Sequence, residues 1–466
     1  MNREESQMGR AQQTVHPSCE PCAEEPCRPR AKPRVLIVYE TMGMGHRRMA
    51  DIFATVIEDA FDVEIVSLPG SEILGSTAVS AIVDLWNYLL RKAHFRAADL
   101  LINSLGRLFA LPIGDAFDVT RFLAALDDIH PDLIVSAADV YSKALGTYCR
   151  ENHIPLYLAI ADISVYHDVV NPVATHLCYF HETADAVQSF DLSRAYFRDP
   201  LGRSTPLLAK LRYLLRYWND HILHARSRPM AHGVEEGVPL SPNGVRCIAV
   251  GPLAKAACFR VHNREQIAER LGLRAGRRNI LIASGSIGGR LLDDVVTCLC
   301  AGWRDPANLL VMCGNDDALY AKIQAFGTRN PHLDIHAFHW VDNFDDFLAI
   351  ADCVIGRHSA SVFVDSLVMR IPCIAYGYVL ANDCGTAALI QKHHLGEMAP
   401  TKGDLVPALR SVLENRAQYV DNIDRFLAEY AATYDGISEG IVQDLRAALD
   451  GSSVNGVTAA ASMDSP

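Results

Sequence analysis

The chain has no surplus of positive charge. Its 43 Lys and Arg stand against 55 Asp and Glu, a formal net of −12. That shortfall excludes a general nucleic-acid binder, which needs excess Lys and Arg to neutralise phosphates. No apolar core of signal-peptide type opens the chain, and no stretch of transmembrane length is free of charge. A membrane-spanning protein is therefore not expected. A disulfide framework is missing as well. Most of the 13 cysteines, among them Cys149, Cys178, Cys298, Cys300, Cys313, Cys353 and Cys373, sit singly inside apolar stretches. Buried reduced thiols, and with them a cytosolic protein, are the expectation.

What is present is a globular composition, half hydrophobic and about a fifth charged over 466 residues. That length suffices for two or three domains with separate cores. Residues 1–32 are polar, rich in Pro, Glu and Arg, and without periodicity, which reads as a disordered tail. They hold His16, Cys19, Cys22 and Cys27. A zinc or redox site and a Pro-rich tail with scattered thiols both remain open there. Residues 451–466 are small and polar, a second tail.

Between the tails, strand and helix signals alternate. Residues 34–39, 62–67, 133–136, 156–161 and 176–179 read as strands, with helices over 47–60, 120–129 and 142–152 among the intervening segments. From Arg246 the pattern restarts, with strands at 247–250, 279–283, 309–313, 334–338, 353–355 and 371–375 and a helical block over 405–449. Alternation of this kind implies parallel sheets with crossover helices. Two strands run directly into glycine loops and helices. Val35–Tyr39 precedes Thr41-Met42-Gly43-Met44-Gly45-His46, and 279–283 precedes Ser284-Gly285-Ser286-Ile287-Gly288-Gly289-Arg290. Such openings belong to nucleotide-binding α/β halves that seat ligands between them. The expectation is an α/β chain of two Rossmann-like domains facing across a cleft, 33–245 and 246–418. Helices over 419–450 are expected to pack back on the first.

Two segments of the first half look unlike ordinary sheet-covering helices. Residues 78–111 carry Ile82, Leu85, Trp86, Leu89, Leu90, Phe95, Leu100 and Leu101 among Arg91, Lys92, Arg96 and Arg107. Residues 206–226 place Leu207, Leu211, Leu214, Trp218 and Ile222 along one face, with Lys210, Arg212 and Arg216 off it. Between Leu192 and Gly233 there are eight Lys or Arg and two Asp, a local net of +6. A basic helix with a wide apolar stripe and a Trp suits an anionic lipid surface. Packing of the stripe against the body or a second subunit is the alternative.

His46 stands where a glycine turn becomes a helix, and an imidazole there can take a proton from a hydroxyl nucleophile. Gly43 and Gly45 leave room for a ligand beside it. The stretch resembles the Asp-Thr-Gly-Gly-Gly-His-Arg pattern of monogalactosyldiacylglycerol synthases and processive diacylglycerol glucosyltransferases. These are grouped with the peptidoglycan lipid N-acetylglucosaminyltransferase in one GT-B class, glycosyltransferase family twenty-eight. Further stretches follow in the same order, Ser284–Gly289 among them resembling the family's Gly-rich donor-phosphate loop. Ala161-Asp162-Ile163-Ser164-Val165-Tyr166-His167 resembles the family's Thr-Asp…His segment. Gly356-Arg357-His358-Ser359-Ala360-Ser361, through Asp365 to Arg370-Ile371-Pro372, is similar to its donor-binding helix. Gly377-Tyr378 through Asn382-Asp383 to Gly385 resembles its Gly-Tyr-Ile-Pro-Gly-Gln-Glu-Glu-Gly stretch.

The resemblance spans residues 34–430. It implies an inverting hexosyltransferase that moves sugar from a nucleotide-sugar, a UDP-sugar as a rule, to a diacylglycerol-like or other amphiphilic hydroxyl acceptor. No metal and no cofactor beyond that co-substrate are implied. Ser284, Gly285, Ser286, Gly288, Gly289, Ser359 and Ser361 would seat the diphosphate, with Arg290 and Arg357 beside it. Asp365 would accept the ribose hydroxyls, and Asn382 and Asp383 would grip the sugar. His46, helped by Asp162 or His167, would deprotonate the acceptor, which Gly43, Gly45, Trp86 and Trp218 would border. The protein would then sit in the cytoplasm at the inner face of an anionic membrane. The chain departs from the pattern at Met42 and Met44, at Ala360 and Ser361, and at Asp365 in place of Glu. A UDP-sugar 2-epimerase type of enzyme and a degenerate GT-B binding subunit stay open beside the transferase.

Overall fold

The computed structural model describes residues 32–39, 45–60, 62–69, 77–101, 120–138, 141–166, 169–189, 244–285, 289–327, 330–357 and 359–430, with isolated positions 206, 208, 212, 446 and 447. Pro33–Pro466 forms one compact unit. Cys19, Cys22 and Cys27 lie outside the described residues.

The first lobe runs β1 (Arg34–Tyr39), α1 (Gly45–Ala60), β2 (Glu64–Pro69), α2 (Thr77–Arg91), α3 (Phe95–Ala98), α4 (Thr120–Ile129), β3 (Leu133–Ser136), α5 (Ser142–Asn152), β4 (Leu156–Ala159), β5 (Thr175–Cys178), α6 (His181–Gln188) and β6 (Arg246–Ala249). The second runs α7 (Arg264–Arg270), β7 (Arg278–Ile282), α8 (Arg290–Gly302), β8 (Ala307–Gly314), α9 (Asp317–Gly327), β9 (Leu333–His339), α10 (Phe344–Ile350), β10 (Cys353–Gly356), α11 (Ala360–Val368), β11 (Cys373–Tyr376), α12 (Cys384–His393), β12 (Gly396–Ala399), α13 (Lys402–Glu414) and α14 (Arg416–Ala428).

Each lobe holds one six-stranded sheet, ordered β2-β1-β3-β4-β5-β6 and β12-β11-β10-β7-β8-β9. Every strand pair is parallel. The strands are short apolar runs such as Val35–Val38 and Leu133–Val135, buried on both faces, as parallel strands covered by helices must be. The second order is the doubly wound arrangement, in which chain direction across the sheet reverses between β7 and β10. In the first lobe the reversal lies between β1 and β3. Ligands bind outside the carboxyl ends of strands at such reversals.

The strand at 246–249 corrects the expected division. It was expected to open the second domain, but it pairs with β5 as the last strand of the first sheet. Its short alternating sequence carries no mark of which sheet it joins. The described part of segment 78–111 also departs from a free amphipathic helix. Trp86, Leu89, Leu90, Phe95 and Ala98 are buried in one apolar cluster with Ile280, Leu292, Val295 and Leu309 of the second lobe. The stripe shares that cluster with the other lobe, where Trp86 is 8% exposed. Of segment 206–226 only Pro206, Leu208 and Arg212 are described, so Trp218, Lys210 and Arg216 lie outside the described residues. A second cluster joins the lobes through Met49, Phe53 and Ile57 of α1 and Phe363, Val364 and Leu367 of α11. Helix α14 and the residues after it add to that contact, with Phe426 tilted and Tyr430 edge-on against Phe180, ring centroids at 5.2 and 5.5 Å. Among the described residues no helix is long and apolar enough to cross a membrane.

Candidate active site

In the first lobe the reversal between β1 and β3 brings His46 to Ala137. The His46 Nδ1 contacts the Ala137 carbonyl oxygen, the residue just past β3. A carbonyl only accepts, so Nδ1 carries the proton and the lone pair stays on Nε2. That is the tautomer of a general base, held by a backbone atom instead of a carboxylate. Residues 40–44, with Gly43, lie outside the described residues, as does His167. Asp162 follows β4 and is half-buried.

In the second lobe β7 leads into Ser284 and Gly285; Ser286 and Gly288 lie outside the described residues. Gly289 precedes α8 with φ +103°. A Cβ there would stand 2.5 Å from the Arg91 carbonyl oxygen, so only glycine admits the end of α2 at this point. Arg290 is exposed. Beyond β10, Gly356 lies so close to Ala283 that a Cβ would overlap its carbonyl oxygen. The ends of β7 and β10 therefore touch at the reversal. Ser359 then precedes α11 in extended conformation and makes no side-chain cap, so the first N–H groups of α11 keep their donor capacity for an anion.

Gly356, Arg357, Tyr376, Tyr378, Asp383 and Thr386 line a recess at the carboxyl ends of β10 and β11. Arg357 Nη1 and Asp383 Oδ2 stand 3.4 Å apart, with side chains 12% and 5% exposed. Both atoms, and Thr386 Oγ1, are buried without a hydrogen-bond partner. Burial raises the Asp383 pKa to about 7; Arg357 opposes the shift, and Asp162 and Asp99 add to it. Buried polar atoms left unpaired cost about 1–3 kcal/mol each, and three of them converge on this recess.

The lobes meet through side chains that cross between them. Arg48, two residues past His46, donates to the Ser361 carbonyl oxygen at 2.8 Å and to the Asp365 carboxylate. Burial raises the Asp365 pKa and Arg48 opposes that shift. The Cys258 thiol donates to the same Asp365 Oδ1 at 3.5 Å. Asp99, 5% exposed, accepts from the Tyr378 hydroxyl at 2.7 Å and the Ala381 N–H at 3.0 Å. Ser164 Oγ accepts from the Gly385 N–H at 2.8 Å.

The chain is similar in structure to UGT2 of Phytolacca americana, solved with UDP-2-fluoro-glucose and pterostilbene. The TM-score is 0.54 at 13% identity over 90% of this chain and 100% of that one. It is similar also to MurG of Acinetobacter baumannii, at 0.51 and 11% over 89% and 99%. Os79 of O. sativa, solved with U2F and trichothecene, gives 0.52 and 11% over 89% and 100%. The fold is GT-B. No family model matches the chain, and no curated protein sequence does.

Within this GT-B frame the expected donor residues gather around the reversal of the second sheet. Ser284, Gly285, Gly289, Ser359 and Ser361 lie at strand ends and helix starts, and Arg357 and Asp383 share the recess. Asn382 sits beside them, its amide 3.4 Å from Asp383 Oδ1. Asp365 is not open on both oxygens, because Oδ1 is taken by Arg48 and Cys258. Sequence reasoning missed Arg48, Asp99, Ser164 and Thr386. Asp99 carried a signal, being with Asp84 one of two acids in the apolar and basic stretch 78–111. Arg48 stands two residues past His46, beyond the quoted pattern. Ser164 lies inside a quoted stretch and Thr386 just past one, and neither carries a role there.

Proposed function

We propose that the chain is an inverting glycosyltransferase that moves a hexose from a UDP-sugar to a hydroxyl of a diacylglycerol-like or other amphiphilic acceptor. The observation that carries this reading is the trio of unpartnered buried polar atoms on Arg357, Asp383 and Thr386. A cationic donor, a carboxylate acceptor and a hydroxyl suit a neutral, hydroxyl-rich ring. Fold likeness to proteins solved with UDP-2-fluoro-glucose and U2F fits the same donor class.

The starts of α8 and α11, with Ser284, Gly285, Ser286, Gly288, Gly289, Ser359 and Ser361, hold the diphosphate through main-chain N–H groups. Arg290 and Arg357 supply positive charge in place of a metal ion. Asp365 Oδ2 accepts a ribose hydroxyl. Nε2 of His46 removes the acceptor's proton as its oxygen attacks the anomeric carbon. The bond from that carbon to the phosphate oxygen breaks on the opposite face, which inverts the centre and releases UDP. Asp162 and His167 support the base.

Part of α2 and α3 stays outside the core and supports the amphiphilic acceptor. Leu85, Tyr88, Leu100 and Leu101 are 40–55% exposed, and Arg91, Lys92 and Arg96 beside them are exposed too. An apolar patch rimmed by cations suits the anionic inner face of a membrane, with the protein on its cytoplasmic side. A thermal-shift panel of nucleotide-sugars, followed by UDP release with diacylglycerol vesicles, tests the reading. Stabilisation by one donor and release only with acceptor are expected; absence of both overturns it.

A further inference from the structure

We infer that Arg48 is the positioning residue that fixes the His46 imidazole relative to the helix on which the nucleotide is seated; this rests on the transferase reading above. Arg48 and His46 share the first turn of α1. His46 is tied to its own lobe through Ala137, and the Arg48 guanidinium spans to the other. One of its nitrogens donates to the Ser361 carbonyl oxygen at 2.8 Å and a second to the Asp365 carboxylate. Both ends of the pair are 10% exposed.

A planar fork with two acceptors on one helix fixes orientation as well as distance, which a point charge does not. Ser361 and Asp365 lie four residues apart, hence on the same face of α11. The start of α1 is thereby indexed to that face. Asp365 Oδ2 faces the ribose in the transferase reading, so one carboxylate reads the nucleotide and anchors the base's helix. The acid that pairs with Arg48 is Asp365, and burial keeps the neighbouring Tyr179 phenol protonated.

The test uses the full chain and three variants. Arg48→Gln is expected to lower kcat at saturating donor on the order of 100-fold, the usual effect of an ångström-scale misplacement of a reacting group. Its UDP affinity by calorimetry should stay within about threefold. Arg48→Lys should recover part of kcat. Because Arg48→Gln removes the cation from a buried carboxylate, the double variant Arg48→Gln/Asp365→Asn is the control for folding. It should regain the melting temperature and not kcat. Hydrogen exchange read by mass spectrometry gives an arm independent of turnover, with faster exchange expected at residues 45–50 and 359–365 in Arg48→Gln. Recovery of kcat together with melting temperature in the double variant would reduce Arg48 to a stabilising contact and overturn the inference. Unchanged exchange at both segments overturns it as well. Should the unaltered protein turn over no nucleotide-sugar, the transferase reading falls by itself, while exchange still decides whether Arg48 couples the two helices.

Discussion

Arg357 Nη1 and Asp383 Oδ2 lie 3.4 Å apart at the carboxyl ends of the second sheet, nearly out of solvent, and neither atom has a hydrogen bond to the other or to any other group. The Glu182 Oε1, by contrast, is met by Lys392 at 3.0 Å and His393 at 2.7 Å.

The recess lined by Arg357 and Asp383 sets a pH dependence. Burial raises the Asp383 pKa from 3.8 to about 7. The folded chain therefore holds a proton there that the unfolded chain has lost, and this contribution to stability falls as pH rises from about 4 to about 7. Sugar hydroxyls favour the carboxylate, so donor affinity should rise as pH passes 7, with a proton released on binding. Calorimetry in buffers of different ionisation enthalpy measures that proton. In Asp383→Asn the release should vanish and donor affinity should fall at least tenfold, about the worth of one charged hydrogen bond.

His46→Ala should lower kcat by about 10²–10⁴-fold, the range for a removed general base. UDP affinity should hardly change, since His46 touches its own lobe through Ala137. Stopped assays of UDP release with calorimetric affinity decide it; an undiminished rate removes His46 from the chemistry.

Gly289→Ala puts a methyl group 2.5 Å from the Arg91 carbonyl oxygen at φ +103°. A strained backbone of this kind costs about 1–3 kcal/mol. Melting temperature should drop by several degrees, with weaker nucleotide binding. A melt unchanged from the parent would mean that α2 does not press on this loop.

Asp99→Asn and Tyr378→Phe form a double-mutant cycle across the lobes. The Asp99–Tyr378 bond of 2.7 Å is partly buried. Denaturant titration should give a coupling of about 0.5–3 kcal/mol. Additive effects would show that the two lobes are not tied here.

The proposed lipid contact of α2 and α3 is tested by charge reversal. Reversing Arg91, Lys92 and Arg96 to Glu should weaken sedimentation with anionic vesicles by roughly 100-fold or more, at about 1 kcal/mol for each lost cation. Binding that survives this change excludes the exposed side of α2 and α3 as the lipid contact.

Much of the architecture was legible before any coordinates. Runs such as Val35–Val38 and Ile280–Ile282 are apolar without alternation, and only strands covered on both faces take that form. The glycine loops after two of them marked the starts of α1 and α8. The strand at Arg246–Ala249 was misassigned because four residues carry no information about which sheet they complete. The stripe of α2 was legible as a stripe but not as the property of a particular partner. Trp86 would be equally at ease on lipid, on a second subunit or, as found, on the helix Arg290–Gly302.

The order of strands and helices, the turns that open them and the imidazole at the head of α1 follow from local chemistry, since backbone dihedrals and hydrophobic periodicity act over a few residues. Only the folded molecule decides which side chains leave their own lobe. Arg48 finds Asp365 across 317 positions of chain, and Asp99 finds Ala381 across 282. Such pairs are selected by the geometry of two packed sheets and by the cost of burying a charge alone, and neither is written in the residues beside them.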